Sequence, residues 1–574
     1  MLKKIHVVIL THSLLCSYLI ADTVNLDLVS QRTQRAGERV LDSMQVLADQ
    51  VGEAVTRNND EELFVSDRRA NFGKSLTWSD SVFHKVEYDK LLTALDSQNS
   101  SDFATLTGGA TPDPQAFKLV NPQALYAYDF QGADQWLFNI LPAPSIQSAE
   151  AAGEMVEVYW HALLRDVPFN KYDSASVVTC DGTVHPAHAI ADLDALSDYK
   201  GPKAGGSVTA ATLFRGIWTG DLVGPYISQF LYLPVPIGPT INHDGTGSVS
   251  PFDTPAYQEY AAPKCGKDNN FMTDETEFKD IQRGRAPSGS ITYDQTRRWP
   301  IMTGRDLAEY VHHDSPTQVA MNTATILLGF GPDALDSAMY YQDAGVNNQA
   351  GFVTFGATSI LTQVAKVVEL ALKAAWFQKW YVHRRLRPEM FSYLLTQHFN
   401  GSLTNTGFHN DILCPQYLWD DFCAYGYTVN ALLPMAYQQG SPCHPAYPAG
   451  HGTFAGAVAT VLKAFFNESY EIPNTVAVQP TTDNDGLETL DTAGYAGAAL
   501  TIGGELNKLA SNISIGRDMA GVHYRSDGTQ GMLLGEKVAI KFLQDLGRTY
   551  HEAFTGFSLT KFDGTTITGL GAQK

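Results

Sequence analysis

Four long stretches of this chain, 353–386, 450–466, 497–515 and 526–547, place apolar residues at helical spacing, and the same runs carry Ala374, Ala375, Ala455, Gly456, Ala457, Gly503 and Gly504. An apolar stripe at the period of a helix has to be buried against another element. Alanine and glycine on that stripe let two helix axes approach closely. The combination predicts an all-α, helical-bundle architecture with long loops. Helical spacing also covers 30–57, 144–165, where Ser148 and Glu150 mark a start, and 304–330. By contrast 166–300 is rich in Gly, Pro, Asp and Thr and reads as loops. Strand-like alternation is expected only in "FSLTKFDGTTITGL", as one small hairpin around Asp563-Gly564.

The 574 residues, 44% of them apolar, suffice for a large core. A formal net charge of −21 argues against nucleic-acid binding, so any anion site must be a basic island on an acidic chain. Lys3 and Lys4 precede an apolar run ending near Ala21, the pattern of a secretory signal peptide. Residues 22–574 then form one unit, with 22–300 helical and loop-rich and 301–574 carrying the candidate site. A secreted, periplasmic or cell-wall location follows from that leader. No later stretch is long and apolar enough to span a bilayer. Cys180, Cys265, Cys414, Cys423 and Cys443 are too sparse for a disulfide framework, although Cys414 and Cys423 are close enough in sequence to pair.

Three islands in the helical part carry chemistry. "WFQKWYVHRRLRPEMF" holds Lys379 and Arg387, eight apart and so able to share one helix face, with Pro388 ending that helix. "SPCHPAYPAGHGTF" holds His444 and His451 in a proline-rich turn, with Gly450 and His451 opening a helix whose free N–H groups favour an anion. "SIGRDMAGVHYRSDG" holds Arg517, His523 and Asp527 around Gly521. Two guanidiniums, one ammonium and a helix N-terminus make a cradle for a tetrahedral oxyanion. One histidine can bond its central atom while another exchanges protons with it.

The ordered set Lys-x7-Arg-Pro, Pro-x-Gly-His and Gly-Arg-x5-His-x3-Asp resembles the vanadium-dependent haloperoxidases, which share their site with a superfamily of acid phosphatases. "KAAWFQKWYVHRRLRPE", "PCHPAYPAGHGTFAGAVATVLKA", "GELNKLASNISIGRDMAGVHYRSDGTQGMLLGE", "SAEAAGEMVEVYWHALLRDVPF" and "RRWPIMTGRDLAEYVHHD" look like the algal bromoperoxidase branch over most of the chain. The resemblance implies a vanadate cofactor with His523 as the vanadium ligand. It implies Lys379, Arg387, Arg517 and the Gly450 N–H as partners of the vanadate oxygens. It makes His451 the acid–base residue and Lys379 the group that polarises bound peroxide. His444 becomes the second histidine, shaping the halide or proton environment. Trp376 is then a pocket aromatic, and Asp527 a carboxylate orienting a site histidine or arginine.

The implied activity is oxidation of halide, bromide or iodide before chloride, by hydrogen peroxide, followed by halogenation of small organic molecules. The alternative from the same superfamily is a phosphatase working through a phosphohistidine at His523. The resemblance also implies a homo-oligomer and, in some relatives, a structural calcium. One position departs from the family's Pro-Ser-Gly-His: here Ala449 precedes Gly450. A lost hydrogen bond to a charged group costs about 1.5–3 kcal/mol. That predicts vanadate affinity roughly ten- to a hundredfold weaker than with serine.

Overall fold

The computed structural model describes residues 56–76, 85–106, 118–129, 131–173, 184–236, 270–287 and 298–572, apart from 343, 347, 428–429, 483–487 and 492. It also describes the paired residues 258–259 and the helical residues 30, 33, 34 and 36–38. The chain divides into Met1–Gly52 and Glu53–Lys574. In the first unit the helical residues include Gln34, whose amide donates to Glu38 one turn on at 3.2 Å. The signal-peptide reading of 1–21 lies outside the described residues, as does most of the 30–57 helix. Everything below concerns the second unit.

Eight helices frame the site: α1 (Ala149–Leu163), α2 (Gly304–His313), α3 (Pro316–Gly329), α4 (Ala357–Phe377), α5 (Pro388–Phe399), α6 (Gly450–Phe465), α7 (Ile502–Met519) and α8 (Arg525–Gly547). Local chemistry sets their starts. Ser148 caps α1 through the Ala151 N–H at 3.1 Å, and Thr303 forms a capping box with Asp306 on α2. Pro316 and Pro388 take the first helical position of α3 and α5, where no N–H is needed. The 304–330 pattern is therefore two helices, broken at Asp314 and Ser315 ahead of Pro316.

Helix α6 is central and packs on α4, α7 and α8. All of its residues but His451 are buried. The seam with α8 is built from glycine. A Cβ at Gly456 would overlap the Met532 carbonyl, and one at Gly535 would overlap the Thr453 carbonyl. Alanine at either position forces the two axes apart.

The C-terminal hairpin forms as read, Phe557–Thr560 against Thr566–Leu570. It is not the only strand pairing. Gln258–Glu259 pairs with Arg298–Trp299, and Gln479–Thr482 with Glu488–Asp491, both antiparallel. Pairs of two and four residues carry too little alternation to be read from sequence. Cys414, Cys423 and Cys443 are all free thiols, so the possible Cys414–Cys423 bridge is not made. Among the described residues no helix is long and apolar enough to cross a membrane.

Candidate active site

The three islands meet at the N-terminus of α6, around a cavity of about 480 Å³ lined in part by Trp376, His444, Gly450, His451, Arg517 and His523. Lys379 and Arg387 are not among its lining residues but pack against that lining, and they are placed differently from the sequence expectation. They do not share a helix face. Helix α4 ends at Phe377 and passes into a π-helical segment, Gln378–His383, closed by Arg384 in the left-handed region at φ 45°. Arg387 is extended (φ −86°, ψ 158°) and caps α5. The cause is Pro388, which excludes the α conformation from the residue before it and starts the next helix instead of ending the last. The two cations converge because both grip one stretch of backbone. Lys379 Nζ donates to the carbonyls of Pro445 and Ala446 at 2.9 Å each, and Arg387 Nε donates to the carbonyl of His444 at 3.0 Å.

Arg387 also donates to the Val522 carbonyl at 2.7 Å, and its Nη1 and Nη2 lie 2.9 Å from His523 Nε2 and His444 Nδ1 respectively. Arg517, in the last turn of α7, donates to the Val311 carbonyl at 2.6 Å and to the Tyr437 hydroxyl at 3.3 Å. Its Nε is buried without a partner. Lys379, Arg387 and Arg517 are 0%, 2% and 6% exposed, and among the described residues none is paired with a carboxylate. Burial and the neighbouring Arg387 hold the Lys379 ammonium well below its ordinary range. Burial, reinforced by Arg517 against the pull of Asp527, pushes Arg387 down to about 10. Three desolvated cations close to one another are costly unless an anion joins them.

His523 follows Gly521, whose φ of +82° turns the chain from α7 toward α8. Its Nδ1 lies 2.8 Å from Asp527 Oδ2, and Asp527 also accepts from the Tyr524 N–H at 3.2 Å and, through Oδ1, from Arg385 at 2.7 Å. A carboxylate can only accept, so Nδ1 carries the proton and the Nε2 lone pair, at the cavity wall, accepts from Arg387 Nη1 at 2.9 Å. Burial, then Arg387 and Lys379, keep this ring neutral, well below the usual histidine range.

Above it, α6 begins at Gly450. Its N-cap, Ala449, is fully buried and has no side chain able to accept the first-turn N–H groups, which stay available. A Cβ at Gly450 would lie 3.3 Å from Trp376 Cζ3, so any larger residue there requires the indole to shift by a few tenths of an ångström. His451 stands on the other wall, its Nε2 2.9 Å from Asp314 Oδ1. By the same logic its Nδ1 is the free acceptor. Burial lowers His451, with Asp314 opposing and Arg517 assisting. Burial alone would raise Asp314, but the His451 ring outweighs it and holds the carboxyl low. His444, kept neutral by burial and Arg387, sits with its ring centroid 5.1 Å from that of Trp376. The Trp376 N–H donates to the Val120 carbonyl at 3.2 Å.

This donor set, all N–H groups and imidazole nitrogens without a thiolate, fits a hard tetrahedral oxyanion such as vanadate. Comparison with known proteins agrees. Residues 419–552 match the model of the VCPO second helical-bundle domain. Over 527 residues the chain is 36% identical to a vanadium-dependent bromoperoxidase of Ascophyllum nodosum, covering 88% of this chain and 86% of that protein. The chain belongs to the vanadium-dependent bromoperoxidase family. A vanadium-dependent bromoperoxidase of Corallina pilulifera is 32% identical over 572 residues, 90% of this chain and 93% of that one. The solved homohexameric structure of the second vanadate-dependent bromoperoxidase of Ascophyllum nodosum matches with a TM-score of 0.78 at 27% identity, covering 95% of this chain and 92% of that one.

Around the site of this bromoperoxidase-family chain stand residues that sequence reasoning missed. Asp314 lies inside "VHHD", but only the break between α2 and α3 shows that it faces His451. Arg385 and Glu154 are 231 positions apart and joined at 2.9 Å, a contact no local pattern announces. Tyr437 carries Arg517 over its ring at 5.4 Å and stacks on His312 at 3.8 Å. The suggested structural calcium gains no support. Among the described residues, the His/Cys/Asp/Glu cluster close enough to hold an ion contains two imidazoles, whereas calcium takes oxygen ligands.

Proposed function

We propose that this chain is a vanadate-dependent haloperoxidase that oxidises bromide and iodide with hydrogen peroxide, releasing hypohalous acid that halogenates small organic molecules. The observation that carries this reading is the trio of buried cations, none with a carboxylate partner among the described residues, near His523, whose Nε2 lies 2.9 Å from Arg387. His523 Nε2 would hold the vanadium, and Lys379, Arg387, Arg517 and the Gly450 N–H would meet the oxygens. Bound vanadate supplies Lewis acidity toward peroxide without changing its oxidation state.

The protein's own groups do the rest. Lys379 spends two N–H bonds on carbonyls and would give a third to the peroxide oxygen that passes to halide. His451 takes the proton that hydrogen peroxide gives up, at Nδ1, because Nε2–H is committed to Asp314. His444 and Trp376 wall the side from which halide arrives. The test is bromination of a phenol dye with vanadate, peroxide and each halide, run beside p-nitrophenyl phosphate hydrolysis. Phosphate release without halide oxidation reverses the assignment. We further propose a homo-oligomer, in keeping with the homohexameric relative, and export directed by residues 1–21. Light scattering and N-terminal sequencing of secreted protein check these two points.

Asp314→Asn isolates the His451 dyad. The carboxylate raises the His451 pKa against burial, so its loss lowers that pKa further. The base then stays unprotonated to lower pH, and the acid limb of the kcat/KM profile moves to lower pH. The weaker base reduces the plateau, on the order of tenfold to a hundredfold. An acid limb that stays where it is in the variant rules out the pairing.

Ala449→Ser tests the departure from the family. The Ala449 N–H donates to the Asp527 carbonyl at 2.8 Å and its carbonyl accepts from Thr453, so the backbone is fixed and only the side chain changes. A hydroxyl there meets either the anion or the open first turn of α6. Vanadate affinity is expected to rise roughly ten- to a hundredfold. The vanadate-free protein is expected to gain about 0.5–2 kcal/mol from a better cap. Equilibrium dialysis of vanadate and urea unfolding read the two separately.

A further inference from the structure

At the rim of the same cavity the last turn of α2 brings together Glu309, His312 and His313, with one ligand atom from each lying within 4.8 Å of the others. The spacing i, i+3, i+4 puts all three on neighbouring positions of one helical face. Glu309 Oε1 is 2.9 Å from His313 Nε2, and its Oε2 is 3.9 Å from His312 Nδ1. The second separation is too long for a hydrogen bond but suits two atoms that share a cation, each about 2.0–2.2 Å from it.

His312 gives the independent sign. Its Nδ1 is buried and has no hydrogen-bond partner. Its ring is nonetheless held firmly: stacked on Tyr437 with planes 11° apart, and with Nε2 2.6 Å from the Gln439 amide. A ligating imidazole is oriented in this way, by a partner on the nitrogen opposite the metal. A half-turn of the Gln439 amide puts its oxygen against Nε2–H and frees the Nδ1 lone pair. None of these three side chains belongs to the oxyanion cradle.

We propose that Glu309, His312 and His313 form a binding site for a first-row divalent cation of the zinc class, two imidazoles and one carboxylate with water completing the shell. Two nitrogen ligands favour zinc, copper or nickel over calcium and magnesium. The exposed His313 leaves the entry path open to solvent. The site borders the active cavity, since His312 lines it and Asp314 follows directly.

The test is direct binding to full-length, vanadate-free protein, so it stands apart from the haloperoxidase reading. Zinc is titrated by calorimetry into wild type and His313→Ala, and cobalt(II) is added to each for its visible absorption. His313 is exposed and outside the catalytic machinery, so its removal leaves the fold and halide oxidation intact. The expected result is a stoichiometric zinc site and a cobalt band in wild type, with affinity at least tenfold weaker and the band lost in His313→Ala. Wild type that takes up no stoichiometric zinc, or a variant that binds it equally well, overturns the proposal.

Discussion

His523→Ala is expected to lose vanadate binding and halide oxidation together while keeping its fold. The direction of the His523 Nε2 lone pair is fixed, because Asp527 holds Nδ1–H at 2.8 Å and burial, with the surrounding cations, keeps the imidazole neutral. Losing a residue that only orients a ligand costs roughly 10- to 100-fold in metal affinity. Losing the ligand itself is expected to cost more than that, and activity should fall to background. Stability should change little by comparison, since Asp527 keeps Arg385 as its partner. The measurement is vanadium retained after equilibrium dialysis, with circular dichroism as the control on folding. A variant that retains vanadium like wild type would place the coordinating atom elsewhere and remove the basis for the mechanism.

Part of this site is legible in sequence and part is not. Three short motifs are enough to propose Lys379, Arg387, His444, His451, Arg517 and His523, because each would act through its own side chain. Their convergence has a different cause from the one the spacing suggests. An unbroken helix from 353 to 386 would hold Lys379 and Arg387 two turns apart on one face, but a π-helical segment and Pro388 intervene. Apolar periodicity does not register such a break, because six residues are too few to establish a different period. Asp314 went unassigned because its role depends on where α2 stops. Arg385 looked like one more charge in "HRRLR", and nothing nearby in sequence marks Glu154 as its partner. Ala449 was the reverse case: a sequence comparison exposed it, and the structure adds that its methyl leaves the first turn of α6 uncapped.

Arg385→Leu is expected to produce the largest loss of stability of any single change around the site. The guanidinium donates to Glu154 Oε2 at 2.9 Å, to Asp527 Oδ1 at 2.7 Å and to the Ser526 hydroxyl at 3.0 Å, and lies 3.9 Å over the Tyr524 ring. Its two carboxylate partners have side chains 3% and 0% exposed. Removing one member of a buried charge network leaves the others uncompensated, at about 3–5 kcal/mol. The pH dependence carries the signature. Burial raises the Glu154 pKa even in the wild type, with Arg385 opposing it. A carboxyl with a raised folded-state pKa is harmless below its unfolded value and destabilising as pH rises through the folded one. Without Arg385 that pKa climbs further, so the stability gap between wild type and variant should widen from pH 5 to pH 8 in urea titrations. Adding Glu154→Gln to Arg385→Leu should recover part of the loss at pH 8 and little of it at pH 5. A gap independent of pH would mean that Arg385 acts by packing on Tyr524 alone. Vanadate affinity should fall in the same variant, because Asp527 then keeps only the Tyr524 N–H at 3.2 Å to hold it against His523.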